Sequence, residues 1–510
     1  MSRYGAVDIG SNSIRMQVAE ASPDGPHHIL AEDRQVTRLG EGVFRAGELT
    51  PEASAIVFEF LGRTAQAFQK HQVAAARAVA TAAVRDAYNR DEFLEQASQA
   101  LGAPVEVISG QEEARLIHLG VQSDWPHPKQ TILIIDIGGG SAELILSRNG
   151  KITEAYSQKI GAVRLTEVFL KHDPPTSLEL RQLEEYIGEK LAPVRRPLEE
   201  QRPDRTIATS ATASAAACAI HRIPRPQRDL ADRLRVSRAA LRELYAELAS
   251  KNVEQRRQTP GIGPRRAEVI IPGCAVLTRV LEDFGLPSLY YSRAGVRDGI
   301  IADLARRGLG QQIAQLDGEQ LRSVREMARR YRVSLKHGDN VACLARHLFA
   351  GLAAFHELPA ADGKLLEAAA YLHDIGHFIS DTRHHRHSYY VVLNSDLPAF
   401  TDRERLVIAH LCRYHRKSLP GTQHSTYKQL SSSEKKTVRY LTPLLRLADS
   451  LDRTHQQRVR SVEARSGPDG VTLYLESSEN TDLEIWAAQQ VSHAFRQTFG
   501  RPLTLAPKTH

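Results

Sequence analysis

The sequence predicts a duplicated α/β region, then a mostly helical domain, then a small α+β tail. Three observations predict this. A short pattern occurs twice, as Asp8-Ile9-Gly10-Ser11-Asn12-Ser13 and as Asp136-Ile137-Gly138-Gly139-Gly140-Ser141. Each copy lies between two apolar runs, which reads as strand, tight turn, strand. Strand and helix patterns alternate after each copy, to about residue 126 and about residue 305, so the repeated head marks a duplicated unit. From about residue 310 helical spacing dominates, with Val341, Leu344, Ala345 and Leu348, then Leu365, Leu366, Ala369 and Leu372.

In chain order, Ala6-Val7 and Ile14, Met16, Val18 flank the first turn. Thr50-Pro51-Glu52 opens a helix, with Thr as cap and Pro at the first helical position. Its apolar face is Ile56, Val57, Phe60 and Leu61. A second helix carries Phe93, Leu94, Ala97 and Leu101 and stops at Gly102, ahead of Pro104. Val105 to Ile108 is a strand. Ser109 and Glu112 fit a capping box, so a helix starts there. Trp125-Pro126-His127-Pro128 reads as a boundary. The second turn lies between Ile132–Ile135 and Leu144–Leu146. The expected domains are 1–126, 127–305, 306–458 and 459–510, the last alternating at Val471, Leu473 and Leu475.

With 510 residues, 42% of them hydrophobic, several cores can be buried and wholesale disorder is excluded. The net charge of +7 is carried largely by Arg, in pairs such as Arg195-Arg196, Arg256-Arg257, Arg265-Arg266 and Arg306-Arg307. Each pair alone reads as solvated surface, although Arg also suits bidentate phosphate contacts. The four cysteines (Cys218, Cys274, Cys343, Cys412) have no metal-ligand spacing and read as reduced thiols of a cytoplasmic protein. No signal peptide is read, and no apolar run approaches the ~18 residues of a membrane span. Neither a membrane nor a specific nucleic acid is expected as partner.

A turn of Gly and Ser lets backbone N–H groups converge on an anion, and an Asp at its entry can hold a metal ion or its water. Two such turns facing each other would grip a phosphate chain. Glu113 points about 100° away from Glu112 on the helix and is free to orient or deprotonate a water. The alternative is an ordinary first-turn acid favoured by the helix dipole. Thr81 to Arg85 ends a strand and supplies a cation; Ser141 and Glu143 extend the second turn. Thr209-Ser210-Ala211-Thr212 is a third small-residue turn. Gly295 and Arg297 sit in a segment, Tyr290 to Gly299, that leads into a helix.

The segments AVDIGSNSIRM, ATAAVRDA, ISGQEEARLIHLGV, IIDIGGGSAELIL and HHRHSYYVVLNSDLP together resemble the exopolyphosphatase / guanosine pentaphosphate phosphohydrolase (Ppx/GppA) family in its long form, over residues 5–455. The resemblance implies two actin-like domains of the ASKHA, ribonuclease-H-like type. It implies Glu113 as catalytic base, Arg85 as phosphate clamp, and Asp136 with Glu143 for Mg²⁺ (or Mn²⁺) and the attacking water. Gly10, Ser11, Asn12 and Ser13, with Gly138, Gly139, Gly140 and Ser141, would cradle phosphates. The implied reaction is processive hydrolysis of the terminal phosphoanhydride of inorganic polyphosphate, releasing orthophosphate between the two domains. Guanosine pentaphosphate (pppGpp) 5′-phosphohydrolysis on the same site is the alternative. A homodimer is also implied. Two positions depart from the family pattern: Ala211 stands where Gly is frequent, and Arg293 where an acid is common.

In the helical half the order His337, then His373-Asp374, then Asp449 resembles HD-domain metal phosphohydrolases. The resemblance implies a divalent metal on these four residues, in mixed N/O coordination, with His387 and His415 at second-metal positions. A dual enzyme with an additional HD phosphohydrolase activity follows as one expectation, and a vestigial structural site as the other. His377, His384 and His385 read as loop or pocket-lining residues. Two other classes are a kinase-like phosphotransferase, which would need an acceptor, and a non-catalytic phosphate-sensing scaffold, which would not need Glu113.

Overall fold

Each copy of the Gly/Ser pattern heads its own sheet. The computed structural model describes residues 2–22, 27–307, 318–467, 470–477 and 479–507, which fall into two units, Met1–Leu309 and Gly310–His510. In the first unit, β1 (Ser2–Ile9), β2 (Ser13–Ala21), β3 (His28–Val36), β4 (Ala75–Ala80) and β5 (Val105–Val107) form a sheet in the order β3-β2-β1-β4-β5. β6 (Thr131–Ile137), β7 (Ala142–Arg148), β8 (Lys151–Gln158), β9 (Arg205–Thr209), β10 (Arg235–Ser237) and β11 (Ser288–Tyr291) form a second, in the order β10-β11-β9-β6-β7-β8. Both have one plan, an antiparallel meander of three strands and then parallel strands on the side of its first strand, to which the second sheet adds β10 as an antiparallel edge. β6 is buried along its whole length, as its Ile/Leu run requires of a strand covered on both faces.

Two helices fill the space between the sheets. Leu116 of helix Gly110–Asp124 and Ile300 and Ile301 of helix Val296–Arg307 pack with Tyr4 and Ala6 of β1. On the other side Ala114, Ile117 and Val121 pack with Ile132 and Ile134 of β6. The two helices cross where side chains are missing: a Cβ built on Gly299 would lie 1.8 Å from the Leu116 carbonyl oxygen, and one on Gly120 2.3 Å from that of Gly295. The helix that carries Glu113 is therefore clamped by both halves. Thr50 caps helix Pro51–Lys70 by accepting from the Ala53 N–H, and Gly102 closes helix Arg90–Leu101 at φ 70°.

In the second unit, helices Leu335–Gly351, Asp362–Leu372, His384–Asn394, Asp402–Tyr414 and Ser432–Ser450 surround one core that includes Leu348, Leu372, Ile408 and Leu447. The chain then forms β12 (Val459–Gly467), β13 (Gly470–Ser477) and β14 (Leu503–Pro507), in the order β12-β13-β14. Val462, Leu473 and Phe495 of this tail belong to the same core as the helices, so the small α+β region is packed into the helical unit. Residues 310–317, where helical character was expected to begin, and the last three residues of the tail lie outside the described residues.

Candidate functional site

The turns of the two hairpins touch. Gly10 N–H bonds to Ser13 C=O and Gly138 N–H to Ser141 C=O, closing each turn. In both copies the turn carbonyls are taken by a following segment. Thr37 and Arg38 N–H donate to Asn12 O and Gly40 N–H to Ser11 O, while Ala162 N–H donates to Gly138 O and Val163 N–H to Gly139 O. Both turns line a cavity of about 1210 Å³, Gly10–Ser13 and Gly138–Ser141 together with Asp8, Glu113 and Asp136. The Ser11 hydroxyl is buried there without a hydrogen-bond partner. A Cβ on Gly139 would sit 2.8 Å from that of Ser11, so glycine is what lets the turns meet.

At the position across from the turn's aspartate the two copies carry opposite charge. In the first, Asp8 of β1 stands across from Arg15 of β2; in the second, Asp136 of β6 stands across from Glu143 of β7. The second hairpin thus concentrates negative charge where the first pairs it. Asp136 is driven up to about 8 by burial and by Glu143 and Asp8, against Arg15 and a hydrogen bond from Ser210. Glu143, fully buried, is raised by burial to about 7 although Ser157 and Ser141 hydroxyls bond to it. Burial raises Asp8 too, against Arg15 and Arg297.

Glu113 joins this cluster from the first turn of its helix. Ser109 Oγ accepts from Glu112 N–H, as a cap should. The expected reciprocal half of the capping box is replaced: the Glu112 carboxylate is held by Arg77 and Arg115 in a buried group that also includes Asp303. Glu113 is 7% exposed, its Oε2 lacks a hydrogen-bond partner, and Arg85 Nη1 lies 3.5 Å from it. Arg85, on the short helix Ala82–Asp86, is oriented by donating to Ile108 O at 2.7 Å. Burial raises Glu113 well above the usual carboxylate range, then Glu143 does, with Arg85 opposing. Orphaned carboxylate oxygens on Glu113 and Glu143, beside Asp8 and Asp136, are hard donors that fit a divalent cation.

The rest of the cavity wall carries arginines beside the acids Glu32, Asp33, Asp124, Asp229 and Asp298. Arg15, Arg34, Arg225, Arg228 and Arg266 line it. Burial lowers Arg34 to about 9, helped by Arg15, Arg266, Arg228 and Arg225, and lowers Arg266 to about 10, helped by Arg15. The Arg265-Arg266 pair, which reads as solvated surface from the sequence, lines the cavity instead. Asp8, an Asp at the entry of its turn as Asp136 is, joins the site carboxylates, although the family resemblance implies only Asp136 and Glu143 for the metal. Gly295 and Arg297 also border the cavity, as do Ser210 and Ala211 of the third small turn.

In the second unit His337, His373, Asp374 and Asp449 converge. His337 Nε2 and His373 Nε2 lie 3.5 and 3.3 Å from Asp449 Oδ1, and His373 Nε2 3.6 Å from Asp374 Oδ2. His337 Nδ1 pairs with the fully buried Asp452 at 2.8 Å, a partner the sequence did not single out. His415 reaches Asp374 Oδ1 at 3.7 Å. His387 does not belong with it: the helix begins at His384 after Arg383 in the left-handed region (φ 58°), and this register turns His384 to Asp374 Oδ1 at 3.6 Å. Burial works against protonation of His373, but Asp374 and Asp449 raise it to about 9, whereas burial and His373 lower His415 to about 3.

Solved structures carry the same fold. The PPX-GPPA enzyme of Aquifex aeolicus is 29% identical with a TM-score of 0.52, over 59% of this chain and 99% of its own. An exopolyphosphatase-like protein is 29% identical with a TM-score of 0.58, over 60% and 98%. An exopolyphosphatase from Cytophaga hutchinsonii is 26% identical with a TM-score of 0.54, over 59% and 96%. The first unit has their actin-like α/β architecture. The family model of Ppx/GppA phosphatases matches residues 17–307, and that of their domain III matches residues 320–490. The chain therefore belongs to the Ppx/GppA phosphatase family.

Proposed function

We propose that this chain is an exopolyphosphatase that removes terminal orthophosphate from inorganic polyphosphate in the cavity of its first unit, working along the chain. The observation that carries the substrate is the set Arg15, Arg34, Arg225, Arg228 and Arg266, which line the cavity; among the described residues the last four form no ion pair with a carboxylate, and Arg15 stands across from Asp8. So many uncompensated cations fit a polyanion longer than one triphosphate. In this reading the Ser11–Asn12 and Gly139–Gly140 amides hold the terminal phosphates, and Arg85 neutralises charge on the one being cleaved. Glu113 accepts a proton from the attacking water, a role favoured by the proton affinity that burial and Glu143 raise. Asp136 and Glu143, with Asp8 beside them, would hold Mg²⁺ (or Mn²⁺), which supplies charge neutralisation on the phosphoryl oxygens.

The second reading, a pppGpp 5′-phosphohydrolase, uses the same residues on a shorter anion. Orthophosphate release from long-chain polyphosphate, pppGpp and ATP by the purified chain separates them: a kcat/KM highest for polyphosphate supports the proposal, and one highest for pppGpp overturns it. Four unpaired cysteines fit a cytoplasmic protein. Among the described residues no helix is long and apolar enough to cross a membrane. The homodimer implied by the family resemblance is part of the proposal, and light scattering tests it.

The second unit is read as an HD-type domain in which His337, His373, Asp374 and Asp449 hold one divalent cation. The support is their convergence and the buried, unbonded Nε2 atoms of His337 and His373. Elemental analysis of the intact chain tests it.

A further inference from the structure

We propose that Arg164 is a positioning residue of the phosphoryl-transfer site: it ties the turn Gly138–Ser141 to the segment that carries Arg85, so that cradle and clamp act on the same phosphate. This rests on the hydrolytic reading of the first unit's cavity, which Arg164 itself does not line.

Helix Ala162–Phe169 begins against the second turn. A Cβ on Gly161, the residue before it, would lie 2.4 Å from Gly140 C and 2.5 Å from Gly139 C. From this close start the helix binds three successive carbonyls of the turn. Ala162 N–H donates to Gly138 O, Val163 and Arg164 N–H donate to Gly139 O, and Arg164 Nε donates to Gly140 O at 2.7 Å. In a trans peptide the N–H points opposite to the C=O. The Gly139, Gly140 and Ser141 amides are therefore turned away from the helix together, as a nest for one anion requires. In the first turn the corresponding third carbonyl, Asn12 O, accepts from the Thr37 and Arg38 backbone instead.

The same guanidinium reaches the first sheet's side of the site. Arg164 Nη2 donates to Asp86 Oδ2 at 2.5 Å, and Lys159 Nζ lies 3.4 Å from that oxygen. Asp86 follows Arg85 on helix Ala82–Asp86. Arg164 Cζ lies 3.9 Å from the centre of the Phe44 ring. Phe44 closes on the turn in its own right: a Cβ on Gly140 would stand 2.6 Å from Phe44 Cζ and 2.6 Å from Ala82 Cβ. On the same helix Glu167 Oε1 accepts from Gly42 N–H at 2.8 Å, a second tie to this neighbourhood. Exposed ion pairs contribute little, but the Arg164 and Asp86 side chains are only 13% and 22% exposed. A ring, a carbonyl and a carboxylate fix the arginine fork, and lysine has no fork with which to reach Gly140 O and Asp86 at once.

Turn and clamp come from different sheets, the turn from between β6 and β7 and Arg85 from after β4. Arg85 Nη1 is in turn 3.5 Å from Glu113. A continuous series of contacts thus runs from Gly140 through Arg164 and Asp86 to Arg85 and Glu113. With Arg164 in place, a phosphate on the turn amides lies at a set distance from the Arg85 guanidinium and from the water at Glu113. Without it the turn is still closed by its own Gly138–Ser141 hydrogen bond, so substrate binds but out of register with the clamp.

The test is orthophosphate release from long-chain polyphosphate by the full chain. Arg164→Ala is expected to lower kcat by about 10², the cost of a ~1 Å misplacement, with KM changed by less than about threefold. Guanidinium chloride, kept well below unfolding concentrations, is expected to restore about tenfold in Arg164→Ala, since the ion fits between Phe44, Gly140 O and Asp86. It should restore nothing in Glu113→Gln, and sodium chloride at equal ionic strength should restore nothing in either. Asp86→Ala is expected to lower kcat by a similar factor, and the double variant to fall no further than the lower single, because both break one link. Arg164→Lys, which keeps the charge and most of the stem, is expected to lose kcat at an unchanged melting temperature and serves if Arg164→Ala does not fold. A merely structural role would lower the melting temperature and leave kcat per folded molecule near the parent value. That result, a loss that guanidinium does not restore, additive losses in the double variant, or a parental kcat in Arg164→Lys overturns the assignment of Arg164. A parent chain that releases no orthophosphate from polyphosphate, pppGpp or ATP overturns the hydrolytic reading and this assignment together.

Discussion

Arg15 and Glu143 occupy the same place in two copies of one hairpin, yet carry opposite charge. Each is the strand partner of the aspartate that opens its turn, Asp8 in the first copy and Asp136 in the second. The two hairpins share one plan, and at this position one carries a cation, which suits a phosphate, while the other carries a second carboxylate, which suits a metal. The two positions should therefore fail differently. Glu143→Gln is expected to raise the Mg²⁺ concentration needed for half-maximal polyphosphate hydrolysis by about ten- to hundredfold. Arg15→Gln is expected to raise KM for polyphosphate by a similar factor, that of one lost charge-assisted contact, with little change in Mg²⁺ demand. Titrations of Mg²⁺ and substrate on both variants check this. The same response from both would remove the division of labour.

Glu113 is held in place by contacts its carboxylate does not make. The Ser109 cap and the glycine crossings at Gly120 and Gly299 set the helix, and Glu112 takes the buried arginines. Glu113→Gln keeps size and shape and loses only the basic oxygen. It should lower kcat by ~10²–10⁴, the usual worth of a general base, with KM for polyphosphate changed by less than about threefold. Orthophosphate release under saturating substrate measures it, and a kcat within tenfold of the parent would assign the proton to another group.

Gly139 is required by the neighbouring turn. With Ser11 Cβ 2.8 Å and Val163 Cγ2 3.3 Å from an added Cβ, Gly139→Ala must push the hairpins apart. Misplacement of reacting groups by ~1 Å costs about 10² in rate, so kcat/KM should fall by about that much. Gly150→Ala is the comparison: it lies at φ 73° in the turn between β7 and β8 with nothing within 4 Å of its Cβ. It should lower folding stability through backbone strain, by ~1 kcal/mol, and leave kcat/KM near the parent value.

Legibility in the sequence followed the range of the interaction. The twin turns were readable because a Gly/Ser bend between apolar strands is a local signal, and Thr50, Ser109 and Gly102 act within four residues of their own position. Asp8 was within reach of the same logic, since the repeat aligns it with Asp136. Arg34 and Arg266 were not. Nothing near either residue distinguishes it from a solvated arginine; only the folded cavity brings them together, more than two hundred positions apart. The choice of His384 over His387 also lay beyond sequence spacing, because the φ 58° turn at Arg383 sets the helix register. Glu112 was assigned to a cap because its long-range partners, Arg77 and Asp303, are invisible in the segment around it.

Those partners make Glu112 the clearest source of acid sensitivity in the first unit. Burial would raise its carboxyl, but Arg115 and then Arg77 outweigh burial and bring it from 4.5 to about 2. A carboxylate depressed on folding contributes stability that is present above its unfolded value and lost as pH falls through its folded value. The stabilisation, ~3 kcal/mol, is therefore complete above about pH 5 and disappears toward pH 2. Asp303, lowered by Arg115, Arg307 and Arg77 against burial, adds in the same direction. Glu112→Gln leaves Arg77 and Arg115 buried with less compensation and should cost ~3–5 kcal/mol at pH 7. The variant should also lose less than the parent between pH 5 and pH 3, so the two stability curves converge on acidification. Urea unfolding of both proteins at pH 7, 5 and 3 tests this. Parallel curves would mean that the charge on Glu112 does not support the fold, and that its contact with the arginines contributes only shape.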